Sequence, residues 1–141
     1  MSDKAFLDTN ILVYTFDSHD LAKRETARMM VESALRDRTA IISFQVVQEF
    51  LNVATRKFAV PLTEADSALY LKQVLNPLCE VHSSFDLYED ALDIQGRWKY
   101  GFYDSLILAA AHAGDCDLLF TEDLQHGQKI RDMTIINPFL D

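Results

Sequence analysis

The chain has 141 residues, 49% of them hydrophobic and 25% charged, with 22 acidic against 13 basic side chains for a net charge of −9. A chain of this length fits a single domain, 1–141, burying about two-thirds of the surface its unfolded form exposes without help from disulfides or a structural metal. The composition excludes a disordered polypeptide; the acidic balance argues against direct electrostatic capture of a polyanion and favours a basic protein partner.

The longest unbroken apolar run, LILAAA at 106–111, is too short to span a bilayer, and the opening MSDKAF lacks a basic segment followed by a long apolar core. A cytoplasmic protein without membrane contact is therefore expected. Cys79 and Cys116 stand apart, without CxxC or Cys/His ligand spacing, so buried free thiols are expected. The histidines, His19, His82, His112 and His126, are equally scattered.

In chain order, AFL at 5–7 predicts a short buried strand. It stops on Asp8, yet residues 11–13 resume apolar character, and a lone carboxylate between apolar stretches is costly unless it has a partner. Over 19–36, Leu21, Ala22, Met29, Met30, Ala34 and Leu35 predict one face of an amphipathic helix. RTAIIS at 38–43 predicts a strand. A helix over 44–58 follows, with Phe44, Val47, Leu51, Ala54 and Phe58 at steps of three and four, Ser43 as N-cap and Pro61 as stop. TEAD at 63–66 has the capping-box pattern and opens a helix through Leu69, Val74 and Leu75 that ends near Asn76 and Pro77.

CEVHS at 79–83 predicts another strand, and Phe85 to Trp98 a helix stopped by Gly101. FYDSLILAAAHAGD at 102–115 is apolar nearly all round, the pattern of a helix buried against a sheet, with His112 packed or partly exposed on it. DLLFT at 117–121 and TII at 134–136 complete the strands. Strands alternating with helices imply the α/β class: a central, mainly parallel sheet with helices on both faces.

In open α/β sheets, ligands gather outside the carboxyl ends of the strands. Asp8 follows the first strand, Glu49 lies early in the helix after the second, Asp104 begins the apolar helix, and Asp123 follows DLLF in the loop TEDLQHG. All four are expected at one edge. Two carboxylates about 5 Å apart repel by roughly 3 kcal/mol at an effective dielectric near 20. Convergence therefore calls for a hard cation, and magnesium takes a few carboxylates while keeping waters in its shell. Taken singly, each acid has an ordinary role: Asp8 as a turn cap with Thr9 and Asn10, Glu49 as a solvated helix residue, Asp104 as a residue favoured by the helix dipole. Asp123 is then a turn residue or N-cap, with Glu122 the alternative ligand. The constellation carries the reading.

The combination LDTNILVY, VVQEFLNV, YDSLILAAA and LLFTEDLQHG resembles PIN domains, and more closely the VapC toxins of bacterial VapBC toxin–antitoxin pairs, in order from about Phe6 to Pro138. The resemblance implies a magnesium- or manganese-dependent endoribonuclease on a compact α/β/α fold. Its four acids match Asp8, Glu49, Asp104 and Asp123 as metal ligands, the small polar residue of its fourth motif matches Thr121, and Asn10 fits its DTN pattern. It further implies an RNA substrate, a VapB-type antitoxin with a basic segment, and a homodimer.

For the RNA backbone, Arg56, Lys57, Arg97 and Lys99 are candidate contacts, with Tyr103 or Trp98 as stacking surfaces. A haloacid-dehalogenase-type phosphatase is disfavoured, since its second aspartate would fall at position 10, which is Asn. A catalytically silent RNA- or protein-binding module on the same fold is the alternative from a different class.

Overall fold

Five short apolar segments supply parallel strands: β1 (Ala5–Leu7), β2 (Ala40–Ser43), β3 (Cys79–Val81), β4 (Leu118–Phe120) and β6 (Met133–Ile136). The computed structural model describes residues 4–140; residues 1–3, which contribute to the reading of the opening segment, and residue 141 lie outside the described residues. A two-residue strand, β5 (Lys129–Ile130), pairs antiparallel with β6, and the sheet order is β3-β2-β1-β4-β6-β5. The central strands are buried on both faces, so β1 and β2 read as continuous apolar runs without alternation. β5 is absent from the sequence reading because two residues carry no periodicity. Arg131, in a left-handed conformation with φ 55°, makes its tight turn.

Among the described residues seven α-helices join the strands, beginning with α1 (Thr9–Tyr14), α2 (Leu21–Asp37) and α3 (Phe44–Arg56). Thr63 caps α4 (Glu64–Tyr70) by accepting from the Asp66 N–H at 3.1 Å, as its capping box predicts. The helix then widens through a π-helical turn, Leu71–Leu75, into α5 (Asn76–Leu78). The helical run ends at Leu78, one residue past Pro77 and close to the expected end; near the start of its last short segment, the missing N–H of Pro77 costs little. Ser84 caps α6 (Phe85–Trp98), whose boundaries match the expected ones. Lys99, not Gly101, supplies the left-handed stop at φ 64°, while Gly101 is the N-cap of α7 (Phe102–Ala113).

Two helical faces differ from the sequence reading. On α2 the buried residues are Ala27, Val31 and Ala34, whereas Leu21 is 57% and Met29 62% exposed. On α3 they are Gln45, Val46, Phe50 and Ala54, leaving Phe44 41% exposed. Both shifts have one cause: a helix rich in apolar residues offers competing stripes, and the neighbour it packs against selects between them. The prediction for α7 holds, with seven consecutive buried residues, 105–111, and His112 is exposed. Cys116 is a buried free thiol and Cys79 a half-buried one.

Right-handed crossovers lead leftward from β1 to β2 to β3, then rightward from β3 across to β4. That reversal puts α1–α5 on one face and α6–α7 on the other, and the helix packing follows the partition. It also makes the β1–β4 boundary the switch point, where a crevice opens at the carboxyl edge. Behind it, Gly114 fits because it lacks a side chain: a Cβ there would lie 2.4 Å from Cδ1 of the fully buried Ile41. Gly114→Ala is expected to cost about 1–3 kcal/mol in denaturant unfolding through overpacking. A loss below about 0.5 kcal/mol would mean that Ile41 rotates freely out of the way.

Candidate active site

Asp8 stands where β1 turns into α1, and only 7% of its surface is exposed. Its backbone N–H donates to the Phe120 carbonyl at 3.0 Å, extending the β1–β4 ladder and bringing Asp8 alongside Thr121. The carboxylate caps α1: Oδ1 accepts from the Thr9 N–H at 2.7 Å, and Oδ2 accepts from the Thr121 hydroxyl at 2.8 Å. The structural and functional readings of Asp8 are therefore compatible.

Thr121 is fully buried. Besides donating to Asp8, its hydroxyl accepts from the Asp123 N–H at 3.1 Å and from Asn10 Nδ2 at 3.3 Å. One proton and two lone pairs are thus all engaged. Asn10 Nδ2 also donates to Asp123 Oδ2 at 3.0 Å. Asp123 accordingly lines the cleft, while the neighbouring Glu122 turns away to accept from the Tyr14 hydroxyl.

Glu49, on α3, accepts at both oxygens: from the Thr9 hydroxyl at 2.6 Å and from Gln45 Nε2 at 3.3 Å. The same Gln45 nitrogen donates to the Tyr103 carbonyl at 3.2 Å, linking α3 to the start of α7. Asp104, in the first turn of α7, gains from the helix dipole and has no hydrogen-bond partner for its carboxylate among the described residues. Thr9 and Gln45 are the positioning groups the sequence reading lacks. Their signals were present in the four-residue spacing of Gln45 and Glu49 and in the adjacency of Thr9 to Asp8. Neither points anywhere until α1 and α3 are packed together.

All four acids line one open cleft with Thr9, Asn10, Gln45, Asn52 and Tyr103, and among the described residues no Lys, Arg or His lines it. The residues expected to contact the RNA backbone lie outside the cleft lining. Arg97 pairs with Asp93 at 3.1 Å, Lys57 lines a separate groove, and neither Arg56 nor Lys99 borders the cleft. Arg56 and Lys57 close α3 about two turns beyond Glu49, and Arg97 and Lys99 close α6 just before the start of α7 without entering the cleft. Trp98 packs half-buried against the core, whereas Tyr103 is 69% exposed at the rim.

The donor set is hard oxygen throughout, as magnesium or manganese requires. Asn10 Oδ1 and Gln45 Oε1 are buried acceptors without hydrogen-bond partners. Among the described residues no three acids gather tightly enough to ligate one ion directly. An ion there would take one or two carboxylates and reach the others through waters, a coordination magnesium favours. The residues fit the ion on those terms.

Burial raises the Asp8 carboxyl from 3.8 to about 6; the bonds from Thr121 and Thr9 oppose the rise, and Glu49 and Asp123 add to it. Asp104 is raised too, by burial first and then by Asp123 and Glu49. A folded-state value above the unfolded one means the penalty is absent below about pH 4, grows to pH 6 and is complete above it, at roughly 3 kcal/mol for Asp8. In chelator-treated protein, wild type should lose about that much stability relative to Asp8→Asn between pH 4 and 7; a pH-independent difference would contradict the assignment. Asp104→Asn breaks no hydrogen bond and should preserve or raise the metal-free melting temperature. A drop of more than a few degrees would make Asp104 a structural residue.

Similarity to known proteins agrees with this architecture. The PIN domain family matches residues 5–130. No curated protein matches the sequence. Among solved structures, a toxin–antitoxin complex from Klebsiella pneumoniae superposes with a TM-score of 0.69 at 20% identity, covering 96% of this chain and 98% of the other. VapC20 of Mycobacterium tuberculosis, described as a toxin that cleaves the sarcin–ricin loop, gives 0.62 at 19% identity over 82% and 87%. VapBC2 of Rickettsia felis, bound to a DNA fragment from its promoter, gives 0.65 at 18% over 93% and 96%. These likenesses show a shared fold, and the family match spans most of the chain. The chain belongs to the PIN domain family.

Proposed function

We propose that this protein is a divalent-metal-dependent endoribonuclease acting as the toxin of a toxin–antitoxin pair. The observation that carries the proposal is a cleft bordered by four carboxylates, three of them held by neutral donors, and lined among the described residues by no cationic side chain. Negative charge so arranged is unfavourable unless a cation enters. The similarity to toxin–antitoxin structures supports the toxin assignment.

Asp8, Glu49, Asp104 and Asp123 are the proposed holders of magnesium, or of manganese in its place. Such an ion, when bound, supplies an activated water and offsets charge on the scissile phosphate. The chain's own residues supply position. Thr121 and Asn10 fix Asp8 and Asp123, and Thr9 and Gln45 fix both oxygens of Glu49. Asp104 keeps its oxygens free of protein donors. Tyr103 offers an exposed ring at the rim on which an unstacked base can lie. The resemblance to PIN-domain toxins, in which a metal-activated water and not the ribose 2′ hydroxyl would attack phosphorus, implies products bearing a 5′ phosphate and a 3′ hydroxyl.

One observation favours the alternative of a non-cleaving binding module: the acids are too widely set for three to ligate one ion directly. The two readings separate in one assay. Purified protein, free of antitoxin, is incubated with end-labelled transfer and ribosomal RNA, with magnesium, with manganese and with chelator. Metal-dependent cuts at few sites are expected, and Asp104→Asn should lower the rate at least 100-fold. Cleavage that persists in chelator, or fragments ending in a 2′,3′ cyclic phosphate, would refute the mechanism.

An antitoxin partner follows from the same electrostatics. The chain carries a net charge of −9, and its cleft is acidic. A basic antitoxin segment is the complementary ligand for such a rim. A peptide carrying that segment is expected to inhibit cleavage, more weakly as salt is raised; undiminished turnover at saturating peptide would exclude this mode of inhibition.

A further inference from the structure

Outside the cleft lining, Glu122 meets two groups at once. Its Oε1 accepts from the Tyr14 hydroxyl at 2.5 Å, and its Oε2 pairs with Lys23 Nζ at 2.5 Å. Lys23 Nζ also donates to the Tyr14 oxygen at 3.3 Å, closing a three-membered cluster. The ammonium lies 4.9 Å from the Tyr14 ring centroid and 5.6 Å from that of Phe139. Those two rings pack edge to face at 4.9 Å. The ion pair is partly exposed, with side-chain exposures of 31% for Lys23 and 26% for Glu122, and the Tyr14 hydroxyl and two aromatic rings flank it. A charge-assisted pair in that setting holds its geometry better than a solvated surface pair.

The placement within the chain matters more than the strength. Tyr14 is the last residue of α1, and Asp8, Thr9 and Asn10 are at its first turn. One short helix is thereby tied to segment 121–123 at both ends: Asn10 to Thr121 and Asp123 at the front, Tyr14 to Glu122 at the back. Glu122 and Asp123 are adjacent acids, either of which has the chemistry to face the cleft. Only Asp123 does so, and Glu122 is the one held by a cation.

Resting on the proposed metal-dependent function, we infer that Lys23 and Tyr14 are positioning residues: by holding Glu122 behind the loop, they fix Asp123 toward the cation cleft and keep a fifth carboxylate out of it. They touch neither the cleft nor a substrate within it. Their effect passes through the backbone shared by residues 122 and 123.

The test is calorimetric titration of the full chain with Mn2+, alongside thermal melts in chelator. Tyr14→Phe removes the hydroxyl and keeps the ring against Phe139; Lys23→Met removes the charge and keeps the stem. Each variant that remains folded is expected to bind Mn2+ roughly tenfold more weakly, the usual scale for groups that orient a ligand. Lys23→Arg, which keeps the charge, should restore most of the affinity. Mn2+ affinity within twofold of wild type in both Tyr14→Phe and Lys23→Met, whatever their melting temperatures, would overturn the inference and leave the cluster as a structural brace. Wild type that binds no Mn2+ would overturn the proposed function itself. Wild-type binding that Asp104→Asn weakens, combined with unaffected cluster variants, sinks the positioning role alone.

Discussion

Everything at the carboxyl edge depends on burying the Asp8 carboxylate between two parallel strands. β1 and β4 run side by side, so the residues that follow them, Asp8 and Thr121, are neighbours although 113 positions separate them in sequence. The Thr121 hydroxyl to Asp8 bond is the joint at which the two halves of the sheet meet. Burying a carboxylate there costs stability, and two accepted hydrogen bonds reduce the cost without abolishing it. The proposed cation would relieve the remaining penalty, since a carboxylate destabilised by burial is one that a nearby positive charge stabilises.

The groups that hold the acids in place are mostly neutral. Thr9, Asn10, Gln45 and Thr121 donate to carboxylates without cancelling their charge. A lysine or arginine in those places would bind the acids more tightly and remove the field that attracts an ion. The cation that does approach the loop, Lys23, is directed at Glu122, the acid outside the cleft. Charge is thereby sorted: compensated behind the loop, uncompensated in front of it. The same sorting explains how an acidic protein can suit a polyanionic substrate, because the proposed cation, not the surface, meets the phosphate.

Local pattern resolves some elements well and others poorly. The boundaries of α6 follow from Ser84 capping its start and from helical periodicity through Trp98, both short-range signals. The capping of α4 by Thr63 is equally local. By contrast, the buried faces of α2 and α3 depend on which neighbour each helix meets, and the expected stripes were chosen only in part: Ala34 and Ala54 are buried, while Leu21, Met29 and Phe44 are exposed. Lys99 takes the left-handed stop that Gly101 was expected to supply, since the tight passage from α6 into α7 leaves Gly101 to cap the next helix. β5 exists only because β6 offers it an edge.

The sequence by itself determined the α/β class, the order of the major elements and the four candidate acids, because periodicity, caps, apolar runs and short motifs are properties of consecutive residues. Tertiary structure alone decided that the crossovers reverse between β1 and β4, opening the crevice there. It also decided that Asp123 faces the cleft while Glu122 does not, that Thr9 reaches Glu49, and that the basic residues near Glu49 and Asp104 in sequence stay outside the cleft. Those outcomes require knowing which way a side chain leaves its backbone and what it meets. Contacts between residues 40 to 113 positions apart fix that, and no local pattern encodes it.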